Sequence, residues 1–233
     1  MHNAIPRDGK IIFAVPTDRK EEVKVDWNLF TADVEDEFHV TDVTMSWSLE
    51  SADAQKVLPK KVSEKLIKAV QAVDNGVFAM CQDEELAWMV ETSSNIASVQ
   101  SADKEVVCVT SQRSNVMSNL KNIANSVKAV FELAGAKVVM NEGYPAWKMR
   151  KGSKLQKITV DAYRKLFGKD PVVKGIHAGL ECGLFSEKYP ELDMVSFGPT
   201  LRFVHTPDER LHIPTVQMVW DHLLEGLKNI PVK

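Results

Sequence analysis

A glycine-rich segment carries the side chains best suited to chemistry in this chain. Between 175 and 185 it holds His177, Glu181 and Cys182, with glycines at 175, 179 and 183. Histidine, carboxylate and thiol groups can act as metal ligands or as acid–base groups, and glycine lets the backbone come close to a ligand. Together with a second segment at 200–210, it predicts one wall of an active site.

A second segment, 200–210, contains His205 followed by Thr-Pro-Asp-Glu-Arg. A histidine in such a loop is most often a plain surface residue, and the residues alone leave that interpretation open. Cys182 could act as a nucleophile with His177 or His205, but no third group that would orient the histidine is evident. Because cysteine is usually a small buried residue, a covalent mechanism is not favoured.

The composition is that of an ordinary globular protein. The 233 residues are 44% hydrophobic and 26% charged, with a net charge of −3. This charge argues against a general nucleic-acid or membrane-surface binder, and no apolar run suggests a membrane span or a signal peptide. The cysteines (Cys81, Cys108 and Cys182) are widely spaced, so we expect a reducing cytoplasm and no disulfide framework or structural zinc knot.

Hydrophobic periodicity predicts an α+β fold, with an open sheet and helices on one face. Helices are predicted at 17–36, 59–73, 112–133, 154–167 and 215–227. Strands are predicted at 10–15, 40–49, 77–80, 87–101, 105–111, 136–140, 171–176 and 193–197. The helix at 59–73 is the clearest, because its apolar residues form one stripe.

The segment from Gly143 to Gly152 breaks this pattern and is the predicted domain boundary. It separates residues 1–150 from residues 151–233. The second part alternates strands and helices, which is typical of a parallel sheet. Its roughly 80 residues are short for a complete doubly wound domain, so we expect it to be the end of one.

Several motifs, in this order, resemble the aminoacyl-histidine (Xaa-His, carnosinase-like) dipeptidases of the dinuclear-zinc metallopeptidase clan. The resemblance covers nearly the whole chain. Its motifs are Asn3-Ala-Ile-Pro-Arg, Val90-Glu-Thr-Ser-Ser-Asn-Ile-Ala-Ser-Val, Thr110-Ser-Gln-Arg-Ser, Gly143-Tyr-Pro-Ala-Trp-Lys, His177-Ala-Gly-Leu-Glu-Cys-Gly, Ser196-Phe-Gly-Pro-Thr and His205-Thr-Pro-Asp-Glu-Arg.

The resemblance implies that residues 1–150 form the family's lid, or dimerisation-type, domain and that residues 151–233 form the C-terminal segment of its catalytic domain. The family's N-terminal catalytic segment, which carries most ligands of two zinc ions and the catalytic Glu, has no counterpart in these residues. His205 matches the family's terminal zinc ligand. A single imidazole is a weak site, so little metal binding is expected from it alone.

Three further residues match positions that contact the substrate in the family. The resemblance implies that Arg113 pairs with the peptide's C-terminal carboxylate, that the backbone at Gly179 holds the same group, and that Asn3 also reaches the substrate. The alternatives are a solvated charge at a helix start for Arg113, an ordinary turn glycine, and a disordered terminus for Asn3.

The predicted function is therefore the C-terminal portion of a zinc metallo-dipeptidase that hydrolyses Xaa-His-type dipeptides, inactive by itself. The alternative is a non-catalytic dimerisation or interaction module derived from such a peptidase. The expected partners are a second copy of the chain, an N-terminal catalytic fragment and a dipeptide substrate, with no nucleic acid or membrane. A remote third alternative is an unrelated α+β domain whose glycine-rich turn binds a small anion.

Overall fold

The computed structural model describes residues 4–53, 55–102, 104–141, 143–147, 150–175, 180–204 and 206–232. Helices and strands are mixed along the chain, so the α+β prediction is confirmed. The chain divides into two units, of which the smaller comprises Arg7–Ile67 and the larger the remaining residues. The boundary predicted at 150/151 lies within the larger unit and stays a prediction. No helix among the described residues is long and apolar enough to cross a membrane.

The smaller unit is built around helix α1 (Lys20–Phe38), which a 3-10 turn precedes. Trp47 contacts Trp27 and Phe30 edge-on, with ring centroids 6.1 and 6.2 Å apart. The strands predicted at 10–15 and 40–49 are wrong, because neither segment is paired with another in the structure. Helix α2 (Lys60–Ala72) begins in this unit and continues into the larger one.

The larger unit contains an antiparallel sheet of β1 (Gly76–Met80), β2 (Val90–Ser101) and β3 (Val106–Ser114), in that order. Helix α3 (Met117–Leu133) follows β3. One face of the sheet contributes Ile96 and Cys108 to a core. Ala69 of α2, Val73 just after it, and Val127 and Phe131 of α3 complete this core. The prediction of helices on one face of an open sheet therefore holds for this part of the chain.

The predicted helix at 112–133 begins too early. Residues 112–114 belong to β3, where Thr92 pairs with Ser114, and the helix starts at Met117. The Ser114 hydroxyl accepts a hydrogen bond from Val116 N at 3.0 Å, which supports the change from strand to helix. The buried residues of α3, Ile123, Val127 and Phe131, recur every four positions, as a helix with one apolar face requires.

The tail contains helices α4 (Lys154–Phe167), α5 (Glu181–Lys188) and α6 (Pro214–Lys228), with the short strands β4 (Leu201–Arg202) and β5 (Arg210–Leu211). Ser153 caps α4 through Gln156 N at 2.9 Å, and Gly168 ends it in a left-handed conformation (φ 67°). Helix α6 packs on α4, where His222 Nε2 hydrogen-bonds to the Thr159 carbonyl oxygen at 2.7 Å.

The parallel sheet expected in the tail is not formed by the residues that the structure describes. β4 and β5 pair antiparallel. The segments 136–140, 171–175 and 193–197, which were predicted as strands, are unpaired there.

Candidate functional site

Arg113 lies on β3, opposite Ser93 of β2, and not at the start of a helix as predicted. On the same strand, the side chain of Cys108 lies in the core with α2 and α3. Arg113 and Cys108 are separated by an odd number of positions. Because successive side chains of a strand point to opposite faces, Arg113 lies on the face of the sheet that does not carry these helices. The Arg113 side chain is half-buried there.

Buried polar residues hold this end of the sheet in register. Thr92 is 0% exposed, and its hydroxyl lies 2.9 Å from the Ser114 hydroxyl on the opposing strand. Gln112 Nε2 donates to Ser94 Oγ at 3.2 Å in the same way. Ser114 and Gln112 flank Arg113, and Thr92 and Ser94 flank Ser93. Since buried polar groups are stable only when they are hydrogen-bonded, these pairs favour this register of the two strands.

A buried carboxylate ties α3 to the same end of the sheet. Glu91 is 9% exposed, and its Oε1 accepts a hydrogen bond from Asn119 Nδ2 at 2.5 Å. The backbone oxygen of Glu91 accepts from Asn115 N at 3.2 Å. The first turn of α3 is therefore fixed to the strand that faces Arg113.

Asn95 brings the beginning of the described chain to the face of Arg113. Its Nδ2 donates to the Ala4 carbonyl oxygen at 2.9 Å. Asn95 lies two residues beyond Ser93 on β2, so the two side chains share a face. Asn3, which precedes Ala4, lies outside the described residues, and its predicted contact with the substrate stays a prediction.

The glycine-rich segment is described only at its two ends, since His177 and Gly179 lie outside the described residues. A Cβ atom on Gly175 would lie 2.7 Å from Met89 Sδ. A Cβ atom on Gly183 would collide with the Pro145 carbonyl oxygen. Glycine is thus required by packing at 183, where the obstacle is backbone, whereas at 175 the end of the Met89 side chain would have to shift.

Two ion pairs join the same regions. Lys151 Nζ lies 2.6 Å from Asp83 Oδ2. Arg150 Nη2 lies 3.2 Å from Glu191 Oε2. They connect the residues on either side of the predicted boundary to the loop before β2 and to the loop after α5.

Cys182 lies in the first turn of α5, next to Glu181. Burial raises the pKa of the Cys182 thiol, and the negative charge of Glu181 raises it further. A thiol that stays protonated is a poor nucleophile. The environment of Cys182 therefore argues against the cysteine-nucleophile alternative.

A metal site is not present in the described parts of the chain. There, no three His, Cys, Asp or Glu side chains lie close enough together to hold a metal ion. His205 lies outside the described residues, so its role as a zinc ligand stays a prediction. The described side chains do not fit a zinc centre by themselves.

Sequence reasoning did not single out Asn95, Ser93 or Met89. Asn95 and Ser93 lie within the Val90–Val99 motif, and alternation along that strand is the signal that could have placed them on one face of it. Met89 carries no such signal, since its contact with Gly175 joins residues far apart in the chain.

No protein-family model matches the chain. The cytosol non-specific dipeptidase of Escherichia coli is 35% identical to it over 234 residues, which cover 100% of this chain and 48% of that protein. The crystal structure of aminoacylhistidine dipeptidase from Vibrio alginolyticus has 34% sequence identity and a TM-score of 0.76, covering 94% of this chain and 44% of that one.

A more distant structure, the aminopeptidase PepT from Bacillus cereus, is 18% identical with a TM-score of 0.52, covering 71% of this chain and 44% of that one. At this identity the likeness concerns the fold alone. The chain thus spans about half the length of the relatives that it matches.

Proposed function

We propose that the chain, which is similar to aminoacylhistidine-type dipeptidases over about half their length, supplies the part of a metallo-dipeptidase that holds the C-terminal carboxylate of the substrate. The observation that carries the proposal is the position of Arg113, opposite Ser93 and on the face of the sheet away from α2 and α3.

The chemistry of Arg113 suits this role. Guanidinium presents a planar fork of N–H donors that matches the two oxygens of a carboxylate. The hydrogen bond between the Thr92 and Ser114 hydroxyls links β2 to β3 next to Arg113. Gly179 and Asn3 would add contacts to the same ligand, as the resemblance implies.

Hydrolysis itself is not assigned to the described residues, because they do not form a metal site. The 233-residue chain is proposed to be inactive alone and to act with an N-terminal catalytic segment, with His205 contributing one zinc ligand. A cytoplasmic location is proposed, since the relative in Escherichia coli is named a cytosolic dipeptidase.

Binding of N-acetylhistidine, which carries the histidine carboxylate of an Xaa-His substrate, tests the proposal. Chemical-shift titration of the wild-type chain is compared with Arg113→Gln. Losing hydrogen bonds to a charged group costs about 1.5–3 kcal/mol, so binding is expected to weaken by at least about tenfold. Arg164→Gln is the control, because this exposed arginine of α4 loses the same charge away from the sheet.

Equal binding by the wild type and Arg113→Gln, or an equal loss in both variants, would contradict the role of Arg113. A separate assay measures hydrolysis of β-alanyl-histidine with added zinc. Robust turnover by the 233-residue chain would overturn its proposed inactivity, whereas turnover that appears only on mixing with an N-terminal catalytic segment would support it.

The second candidate is a dimerisation module without catalytic function, and the edge strands of the sheet favour it. Val77 on β1 is 61% exposed and Val107 on β3 is 43% exposed. Exposed strand edges with apolar side chains are common sites of pairing between chains. A homodimer in sedimentation that gains neither zinc nor activity on mixing with an N-terminal segment would favour this candidate.

A further inference from the structure

A continuous chain of hydrogen bonds closes the end of the sheet at which Arg113 lies. Val116 N, just before α3, donates to Ser114 Oγ at 3.0 Å, and Ser114 Oγ lies 2.9 Å from Thr92 Oγ1. Thr92 Oγ1 in turn donates to Glu91 Oε1 at 3.3 Å. The chain of hydrogen bonds therefore runs from the turn between β3 and α3 to a buried carboxyl group on β2.

Glu91 determines the direction of these hydrogen bonds. A hydroxyl group has one proton to donate, and that of Thr92 is donated to Glu91 Oε1. The bond between the two hydroxyls must therefore be donated by Ser114, whose oxygen accepts from Val116 N. Each hydroxyl then donates once and accepts once, and neighbouring hydrogen bonds in such a chain strengthen one another.

Glu91 also holds the residues that follow β3. Its Oε1 accepts from Asn119 Nδ2 at 2.5 Å, in the first turn of α3, and its backbone oxygen accepts from Asn115 N at 3.2 Å. Hydrogen bonds from both sides of the turn between β3 and α3 thus converge on this one residue of β2. Because Arg113 is followed directly by this turn, its backbone is held at the same place.

We propose that Glu91 is a positioning residue, whose side chain holds the end of β3 and thereby the backbone from which Arg113 extends. It acts through Thr92, Ser114 and the first turn of α3, and not by contact with the ligand. The inference rests on the proposed function, because it takes Arg113 to bind a carboxylate. A planar fork of donors binds both oxygens of a carboxylate in a narrow range of orientations, so movement at its base weakens binding.

Substitutions in the 233-residue chain test this proposal. Glu91→Leu and Glu91→Gln are similar in size and both lack the carboxylate, but only glutamine keeps an oxygen that accepts hydrogen bonds. Asn119→Ala removes one donor at a half-buried position and tests the same contact if Glu91→Leu does not fold. Glu132→Leu is the matched control, because this glutamate of α3 has a side chain that is 52% exposed.

Three readouts are used: N-acetylhistidine titration, the side-chain Nε–H resonance of Arg113, and amide hydrogen exchange at Val116 relative to the core residue Ile123. We expect Glu91→Leu to weaken binding about tenfold, to shift the Arg113 resonance and to speed exchange at Val116 more than at Ile123. Asn119→Ala should act in the same direction by a smaller factor. Glu91→Gln should remain close to the wild type in all three, and Glu132→Leu should change none of them.

The outcomes separate the two proposals. If Arg113→Gln weakens binding but Glu91→Leu and Asn119→Ala do not, Glu91 has no positioning role and the proposed function stands. If the wild-type chain does not bind N-acetylhistidine, the proposed function fails for this chain, and the Arg113 resonance and the exchange at Val116 decide the role of Glu91. That role is overturned if both are unchanged in Glu91→Leu, or if Glu91→Gln alters them as much as Glu91→Leu does.

Discussion

Gly183→Ala is the substitution for which the structure makes the sharpest prediction. Gly183 is a buried residue inside α5, and its Cα faces the Pro145 backbone. An added Cβ would collide with the Pro145 carbonyl oxygen and lie 3.1 Å from the carbonyl carbon. The obstacle is backbone, so it cannot rotate away as a flexible side chain would.

Two effects of opposite sign determine the magnitude. Alanine is favoured over glycine inside a helix by about 1 kcal/mol. Overpacking a close contact costs about 1–3 kcal/mol, and a fixed obstacle places Gly183 at the upper end of that range. Gly183→Ala is therefore expected to lower the free energy of unfolding by about 1–2 kcal/mol.

Gly226→Ala is the matched control, because Gly226 also lies inside a helix, α6, but an added Cβ there meets nothing within 4 Å. Only the helical preference acts at this position, so a gain of about 1 kcal/mol is expected. Urea unfolding followed by circular dichroism measures both variants. A Gly183→Ala chain as stable as the wild type, or stabilised as much as Gly226→Ala, would refute the contact with Pro145.

Two further predictions concern the core and the pH dependence. Ile123 is 0% exposed, so Ile123→Ala is expected to cost about 2–5 kcal/mol in urea unfolding, whereas Leu133→Ala on the same helix, at an 87% exposed site, should change stability by less than about 0.5 kcal/mol. The hydrogen bond from Lys165, 2.5 Å away, lowers the pKa of the Glu225 carboxyl. The stability that this ion pair contributes is complete above the unfolded pKa of about 4.3 and is lost as the pH falls through the lower folded pKa. Glu225→Gln should therefore reduce the loss of stability between neutral and acidic pH in urea unfolding. An unchanged pH profile would contradict the pairing.

Helices were the elements that the sequence predicted best, because each carries its own signal. The stripe at 59–73 corresponds to α2, and the predicted helix at 154–167 has the same bounds as α4. Helical hydrogen bonds join residues four apart, so a local pattern is enough to define them.

Strands were predicted less well, because a strand exists only when another strand pairs with it. Val172 and Val173 favour a strand by residue type, yet they are 80% and 51% exposed and unpaired. By contrast, β2 and β3 are neighbours in sequence and can pair through a short turn. Non-local partners cannot be found from the periodicity of one segment.

The candidate site shows the same limit. The glycines at 175 and 183 were expected to serve a ligand, but each lies against a distant part of the chain, at Met89 and Pro145. Arg113 was placed on a helix, because nothing local shows that pairing with Ser93 extends β3 so far. Residue type indicated the candidate site residues, whereas their contacts depend on packing between segments that are distant in sequence.

None of the described residues between Arg7 and Ile67 is buried, and this affects the fluorescence expected during unfolding. A segment with so few buried contacts opens at low free energy, well before the core around Ile123. It also contains the edge-on pair Trp27 and Trp47, whereas the other tryptophans (Trp88, Trp147 and Trp220) belong to the larger unit. The fluorescence of the chain should therefore change in two steps on heating, and no single melting temperature would describe it.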